Sequence, residues 1–411
     1  MKILMLNNYF HVNSGASGVM IDEAEILMQK GHDVYFFTTD KKPFYDENYK
    51  YKDFFPKYIK YSELNKFDLI KNLFRPFYNV EAEKKLDKLI KEIKPDIVHK
   101  HSVSRHLTAS VLRACYKNKV PVVMTIHGPT FFCPQEGFMM NETVYCSKEL
   151  CSRNNFSHFL LNRCCKQNFA KNVYLTALYT VYRSFRLHNG IKKFICPSQA
   201  MKNVALRAGI PDKKLEVVNN SCSKSYFDEE TVPDNKGYFL YVGRLERVKG
   251  IQYLLEAMTK LPEKIKLHIV GEGFEEEYFK NTAKKLNLDN VIFLGYKSKQ
   301  ELEEEYKNCI ATILPCRWFE TFGLTIIESF LSAKPVIASR MGGIPEIIDN
   351  GKNGILIEPG NVNQLVDAML NLYKNQDTAI KMGNLGRIKA EQQFNPELHY
   401  EKLIKVYKSA L

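Results

Sequence analysis

A chain of 411 residues is too long for one ordinary hydrophobic core and predicts two domains. Its 45% hydrophobic and 26% charged residues are ordinary for a soluble globular protein, and no run of about 18 apolar residues occurs, which excludes a membrane-spanning helix. The net charge of +13 is uneven: residues 1–200 hold 30 Lys and Arg against 18 Asp and Glu, whereas residues 201–411 hold 29 against 28. A basic first half suits nucleic acid, an anionic membrane surface, an acidic substrate or merely solvated lysines.

MKILMLNNYF reads as a first strand rather than a secretion signal, because it has no h-region or cleavage site, and the expectation is a cytoplasmic protein. A Gly15–Ala16–Ser17–Gly18 loop is expected next, then a helix from Val19 to Gln29 and a strand at VYFFTT (34–39). Residues 40–80 lack a clean period and read as irregular with short helices. Within them KKPFYDENYKYKDFFPKYIKY (41–61) interleaves basic and aromatic residues, as an interfacial surface does. Strands at DIVHKH (96–101), PVVMTIHG (121–128) and KFICPS (193–198) alternate with helical patterns near 81–93, 104–117 and 198–208. Such alternation means α/β architecture on a parallel sheet, with ligands beyond the carboxyl ends of the strands. His127 stands at one such strand end.

The rhythm is interrupted over 129–192, where five cysteines fall in the pattern C-x12-C-x4-C-x12-CC, followed by the aromatic helix pattern YLTALYTVYRSFRL (174–187) with Arg183 and Arg186. That helix serves either the core or a face turned to a membrane or lipid-linked acceptor. In a reducing compartment the cysteines argue for thiols or a metal rather than disulfides. Cys133, Cys146, Cys151 and Cys164 are therefore the candidate ligands of a structural zinc or iron–sulfur centre, although no C-x2-C pair is present.

VPDNKG (232–237) reads as a linker. Strands then resume at YFLYVG (238–243), KLHIVG (266–271), VIFLG (291–295), IATILP (310–315), PVIAS (335–339) and GILIE (354–358), giving a second doubly wound domain, with a last helix over His399–Leu411. Gly243 closes the first of these strands, and Arg244 and Lys249 follow it beside glycines, a pair able to neutralise a diphosphate. After the fourth strand, a helix is expected from Phe322 to Leu331. The N–H groups of Phe322, Gly323 and Leu324 would then lie at its start, where phosphate is attracted, with Glu320 at its mouth and Glu328 on its flank to accept hydroxyl hydrogen bonds.

Glu320-x7-Glu328 inside FETFGLTIIES, followed by GGIPEII and GILIEPGN, resembles the retaining glycosyltransferase family 4 of the GT-B fold, and the match extends over most of the chain. The resemblance implies an acceptor-side Rossmann-like domain over 1–231 and a nucleotide-sugar domain over 232–394. These face a central cleft, and a helix over 395–411 crosses back onto the first domain. It assigns the donor diphosphate to Arg244 and Lys249, the ribose hydroxyls to Glu328 and the donor sugar to Glu320 and to the N–H groups of Phe322 and Gly323. Leu324 and Thr325 come near phosphate, and Gly295–Tyr296 meets the nucleobase. His127 faces the donor sugar close to the reacting centre, and Gly15 and Gly18 flank a phosphate or acceptor loop in which Ser17 departs from the family's double glycine. Some family members also carry a cysteine-rich insertion after the histidine.

The activity implied is transfer of a sugar, with retention, from a UDP- or GDP-sugar to a glycan or lipid-linked glycan in surface polysaccharide or glycolipid synthesis. It requires no cofactor and no metal ion, in keeping with the lack of any Asp-x-Asp pair in the sequence. The expected setting is cytoplasmic, with the inner face of a membrane as a candidate partner and no nucleic acid. The rival readings are a basic, non-catalytic nucleic-acid binder and a GT-B relative with epimerase or phosphorylase chemistry.

Overall fold

The computed structural model describes residues 1–11, 15–102, 106–135, 137–140, 144–146, 151, 156–165, 168–184, 187–222, 227 and 237–411. The chain divides into two units, Met1–Asn219 with His399–Leu411, and Asn220–Leu398. Most of the expected linker, 232–236, and Arg186 lie outside the described residues.

In the first unit, short apolar runs form β1 (Lys2–Leu6), β2 (Asp33–Phe37), β3 (Ile97–Lys100) and β4 (Val122–Thr125), then a small antiparallel hairpin of β5 (Met139–Met140) and β6 (Val144–Tyr145), then β7 (Lys193–Cys196) and β8 (Leu215–Val217). The main sheet runs β2-β1-β3-β4-β7-β8, all parallel. Every residue of β3 and β4 is buried, which requires helices on both faces. The terminal helix Pro396–Ala410 supplies part of that cover: its Leu403, Val406 and Tyr407 share one core with Ile3, Met5, Met20 and Ile97.

The second unit repeats the design with β9 (Tyr238–Val242), β10 (Lys266–Val270), β11 (Val291–Gly295), β12 (Ala311–Leu314), β13 (Val336–Ser339) and β14 (Gly354–Ile357). They are parallel in the order β11-β10-β9-β12-β13-β14. The order reverses between β9 and β12, so the loops leaving these two strands open side by side. That is the switch point at which doubly wound sheets bind ligands.

Local departures from the sequence expectation have physical causes. Gly15–Gly18 is the first turn of the helix Gly15–Gln29 rather than a loop, and Ser17 there is buried, its Oγ receiving a 2.8 Å hydrogen bond from Asn7 Nδ2. The helix expected from residue 104 forms only over Ser110–Lys117, after Thr108 adopts a left-handed backbone (φ 58°). In segment 41–61, Phe55 is buried and Phe44 and Tyr49 pack on the same core, so these aromatics serve the fold rather than a membrane face. Exposed apolar groups lie instead just beyond it, at Phe67, Ile70 and Phe74, on and after the helix Lys66–Lys71. In the helix Phe169–Ser184, Leu175, Leu178 and Tyr179 form a small core with Cys151, Phe156, Phe159, Cys164 and Cys165, the inward role of the two considered.

Candidate active site

Because β9 and β12 are neighbours, their carboxyl ends bring Arg244 and Lys249 to Glu320. Lys249 Nζ lies 3.1 Å from Glu320 Oε2, and the same oxygen accepts a 3.1 Å hydrogen bond from Trp318 Nε1. The Trp318 ring is the floor of the group, with Lys249 Nζ 4.2 Å and the Arg244 guanidinium carbon 5.5 Å from its centroid. Such cation–π contacts hold both cations without neutralising them. Arg244 Nη1 also pairs at 2.6 Å with Glu246 Oε1 while its side chain stays exposed. An arriving diphosphate could take Lys249 from Glu320 and the fork of Arg244, freeing the Glu320 carboxylate for hydroxyl groups.

Two glycines set this loop. Gly342 has φ 54°, and a Cβ there would lie 2.0 Å from the Glu320 carbonyl oxygen, to which Gly343 N–H donates a 2.8 Å hydrogen bond. Gly323 has φ 107° and caps a helix that starts at Leu324, two residues later than expected. Phe322 therefore precedes the helix and is buried, its ring 5.6 Å from that of Phe394. The left-handed backbone at Gly323 favours glycine, and a Cβ there would lie 2.9 Å from Ile326 Cδ1. Leu324 and Thr325 sit in the first turn, partly exposed.

Glu328 sits further along this helix, partly exposed, and accepts a 2.7 Å hydrogen bond from the Tyr306 hydroxyl. Desolvation raises its pKa despite that hydrogen bond. Gly243 leaves β9 beneath the Tyr241 hydroxyl, and Gly295 ends β11 with its carbonyl accepting from Gly271 N–H at 2.8 Å, beside the exposed Tyr296.

In the first unit His127 follows β4 and lines a pocket of about 360 Å³ with Asn8, Lys100, His101, Thr125 and His188 among others. His127 Nε2 and His101 Nδ1 are 2.9 Å apart, and the two rings stack. Behind them Glu23, wholly buried, faces His101 and His99 at 3.5 Å and His399 at 3.1 Å. His399 presents Nδ1 to the Asn219 carbonyl and Nε2 to Glu23, both acceptors, so its ring is an imidazolium; its pKa is raised by Glu23 against burial. Burial drives His99 and His127 down to about 4 and His101 well below the usual imidazole range, leaving these three neutral. Among the described residues, donor atoms of Glu23, His99 and His101 lie within 4.8 Å of one another, but the proton on His399 already balances the carboxylate.

Cys133, Cys151 and Cys164 are buried and Cys146 is partly exposed, and none forms a disulfide. Burial, and then the neighbouring thiols Cys133 and Cys146 among others, pushes the Cys151 and Cys164 thiols up to about 12. Sequence reasoning missed Trp318, Tyr306, Glu23 and Lys100. The lone tryptophan beside Glu320 and a lysine inside the buried strand DIVHK were the available signals.

Residues 223–389 match the family model described as glycosyl transferases group 1, and residues 13–223 match that of glycosyltransferase family 4. An uncharacterized glycosyltransferase of Methanocaldococcus jannaschii is 29% identical over 212 residues, 52% of this chain and 57% of that protein, so the chain spans little more than half of this relative. The N-acetyl-alpha-D-glucosaminyl L-malate synthase of Bacillus anthracis is 24% identical over 398 residues, 93% of this chain and 91% of that one. The crystal structure of Anabaena HepE in complex with UDP and glucose superposes with a TM-score of 0.66 at 19% identity, covering 100% of both chains, a likeness of fold. With one model matching more than half of its length and the GT-B architecture in both units, the chain belongs to glycosyltransferase family 4.

Proposed function

We propose that the chain transfers a sugar, with retention, from a UDP- or GDP-sugar to a glycan or lipid-linked glycan in surface polysaccharide or glycolipid synthesis. The observation that carries this reading is the meeting of Lys249, Arg244 and Glu320 around Trp318 at the switch point of the second sheet. Two cations suit a diphosphate, and two carboxylates, Glu320 and Glu328, suit the hydroxyls of sugar and ribose. That HepE was solved with UDP and glucose agrees with such a donor.

In this reading Arg244, Lys249 and the N–H groups at Leu324 and Thr325 neutralise the departing diphosphate, the role a divalent ion has elsewhere. The acceptor oxygen bonds to the anomeric carbon on the face the phosphate leaves, and its proton passes to that phosphate. Gly243, Gly295 and Tyr296 border the nucleotide, and Phe322 and Gly323 shape the sugar end. His127, neutral and hydrogen-bonded to His101, is available to a sugar hydroxyl, and Gly15 and Gly18, in the first turn of their helix, are assigned to phosphate or acceptor contact.

Domain boundaries near 231 and 394, a structural metal on Cys133, Cys146, Cys151 and Cys164, and action at an inner membrane face belong to the same proposal. Exposed Phe67, Ile70 and Phe74 beside Lys66 and Lys71 favour the membrane contact. A thermal-shift screen of UDP, GDP and an oligonucleotide tests the function: a nucleoside diphosphate should stabilise the chain and the oligonucleotide should not. Release of nucleotide only when an acceptor is present then separates transfer from epimerase or phosphorylase chemistry.

A further inference from the structure

Lys100 is a lysine in the middle of a parallel sheet, on β3 between β1 and β4, with 2% of its surface exposed. An ammonium at such a position needs a counter-charge, since an unpaired buried ion is strongly disfavoured. Among the described residues its Nζ has a single hydrogen-bond acceptor, the weak thioether of Met124, at 3.4 Å. No carboxylate among the described residues acts on it, and burial holds its pKa down to about 7. The ionisable groups that sense its charge are the imidazoles of His101 and His127, which can add positive charge but not remove it.

Lys100 lines the same pocket as His127, together with His101, His106 and His188. Among the described residues its walls thus hold one lysine and four histidines, and none of those residues is acidic. Tyr9, Ser102 and Thr130 add hydroxyl groups suited to a polyhydroxylated ligand. A pocket of about 360 Å³ is of the size that takes a small ligand.

We propose that this pocket receives an acceptor bearing a carboxylate or phosphate, and that Lys100 Nζ binds that anion. The inference rests on the glycosyltransferase reading: the cations assigned to the donor diphosphate belong to the second unit, which leaves Lys100 to the acceptor in a pocket where His127 meets the donor sugar. A bound anion gives the buried ammonium the partner that Met124 cannot supply, so a neutral acceptor of the same shape binds less well.

Isothermal titration of the full chain at pH 7 and fixed ionic strength tests this with glucuronate against glucose and glycerol 3-phosphate against glycerol. At least one anion should bind about tenfold or more tightly than its neutral counterpart, and the pair that shows the preference separates carboxylate from phosphate. Lys100→Met, which keeps the buried volume and removes the charge, should fold, erase the preference and leave UDP affinity unchanged. Equal binding of each pair, absence of saturable binding by both anions, or a preference that survives in Lys100→Met would overturn the proposal. Loss of UDP affinity in Lys100→Met would place the anion on the donor and overturn it too. The native chain's preference needs no variant, so a misfolded Lys100→Met does not shelter the idea. Failure of UDP to bind the native chain is separately visible and counts against the donor reading.

Discussion

Lys249 and Glu320 lie 71 residues apart in the chain, yet their side chains form a 3.1 Å ion pair where the loops after β9 and β12 run side by side. This pair is only partly exposed, at 20% and 18% of the two side chains, so it is formed under a protein wall rather than in open solvent. It joins a cation suited to phosphate and a carboxylate suited to hydroxyls at one point, which is what a nucleotide-sugar site requires.

Replacing Lys249 with Met should weaken nucleoside diphosphate binding by about tenfold to a hundredfold, the range of a charge-assisted hydrogen bond. Fold should be kept, because Glu320 retains Trp318 Nε1 as a donor. Titration of UDP and GDP into native and variant chains reads this, and an unchanged affinity would remove Lys249 from the site.

Gly342→Ala should be severe. Its Cβ would sit 2.0 Å from the Glu320 carbonyl on a left-handed backbone. We expect a loss of roughly 2–4 kcal/mol and a displaced Glu320, read as a lower melting temperature together with weaker nucleotide binding. A native-like melt would mean the turn relaxes freely.

The buried histidines give the first unit a defined pH response. His99 and His127 are held near 4, below the 6.5 of a free imidazole, so the unfolded chain binds more protons and stability falls as pH drops from 6.5 towards 4. Each such imidazole contributes on the order of 3 kcal/mol over that window. Glu23, with a lowered pKa, has the same sign: its share is present above its unfolded value of 4.5 and is lost as pH falls through the folded value. His399 has the opposite sign: its raised pKa makes its share complete below 6.5 and lost as pH rises through the folded value. Thermal unfolding from pH 4 to pH 9 should show the acid limb, while above pH 7 the lowered pKa of Lys100 adds stability as pH rises and opposes the loss at His399. His399→Leu should remove that loss and, by stranding the Glu23 charge, cost about 3–5 kcal/mol near neutrality.

The cysteine module is open to elemental analysis. If Cys133, Cys146, Cys151 and Cys164 hold zinc, protein purified without chelator should carry one zinc per chain and Cys151→Ser should release it. Protein free of zinc and iron would leave Cys151 and Cys164 as neutral members of the small core around Phe159.

Much of the fold was legible because buried parallel strands are written as short apolar runs: PVIAS, IATILP and KLHIVG each hold the observed strand within one or two residues of its ends. Helix starts were less legible. Gly15 reads as a loop glycine yet lies inside the first helical turn, and Gly323 reads as the second residue of a helix yet is its left-handed cap. The cations and carboxylates of the second unit could be named from family-like motifs, but their junction at Trp318 depends on β9 lying beside β12. Glu23 and His399 stand 376 residues apart and had no local signal, whereas the burial of Lys100 was hinted at only by its place at the end of the apolar strand DIVHK.

The central claim is that Lys249, Arg244 and Glu320 form a nucleoside diphosphate site. Isothermal titration of UDP and GDP against the native chain, Lys249→Met and Arg244→Ala tests it most directly. The account predicts saturable binding of at least one of them by the native chain, at one per chain, and a loss of tenfold or more in each variant. Binding of neither nucleotide to the native chain, or undiminished binding by both variants, would contradict it.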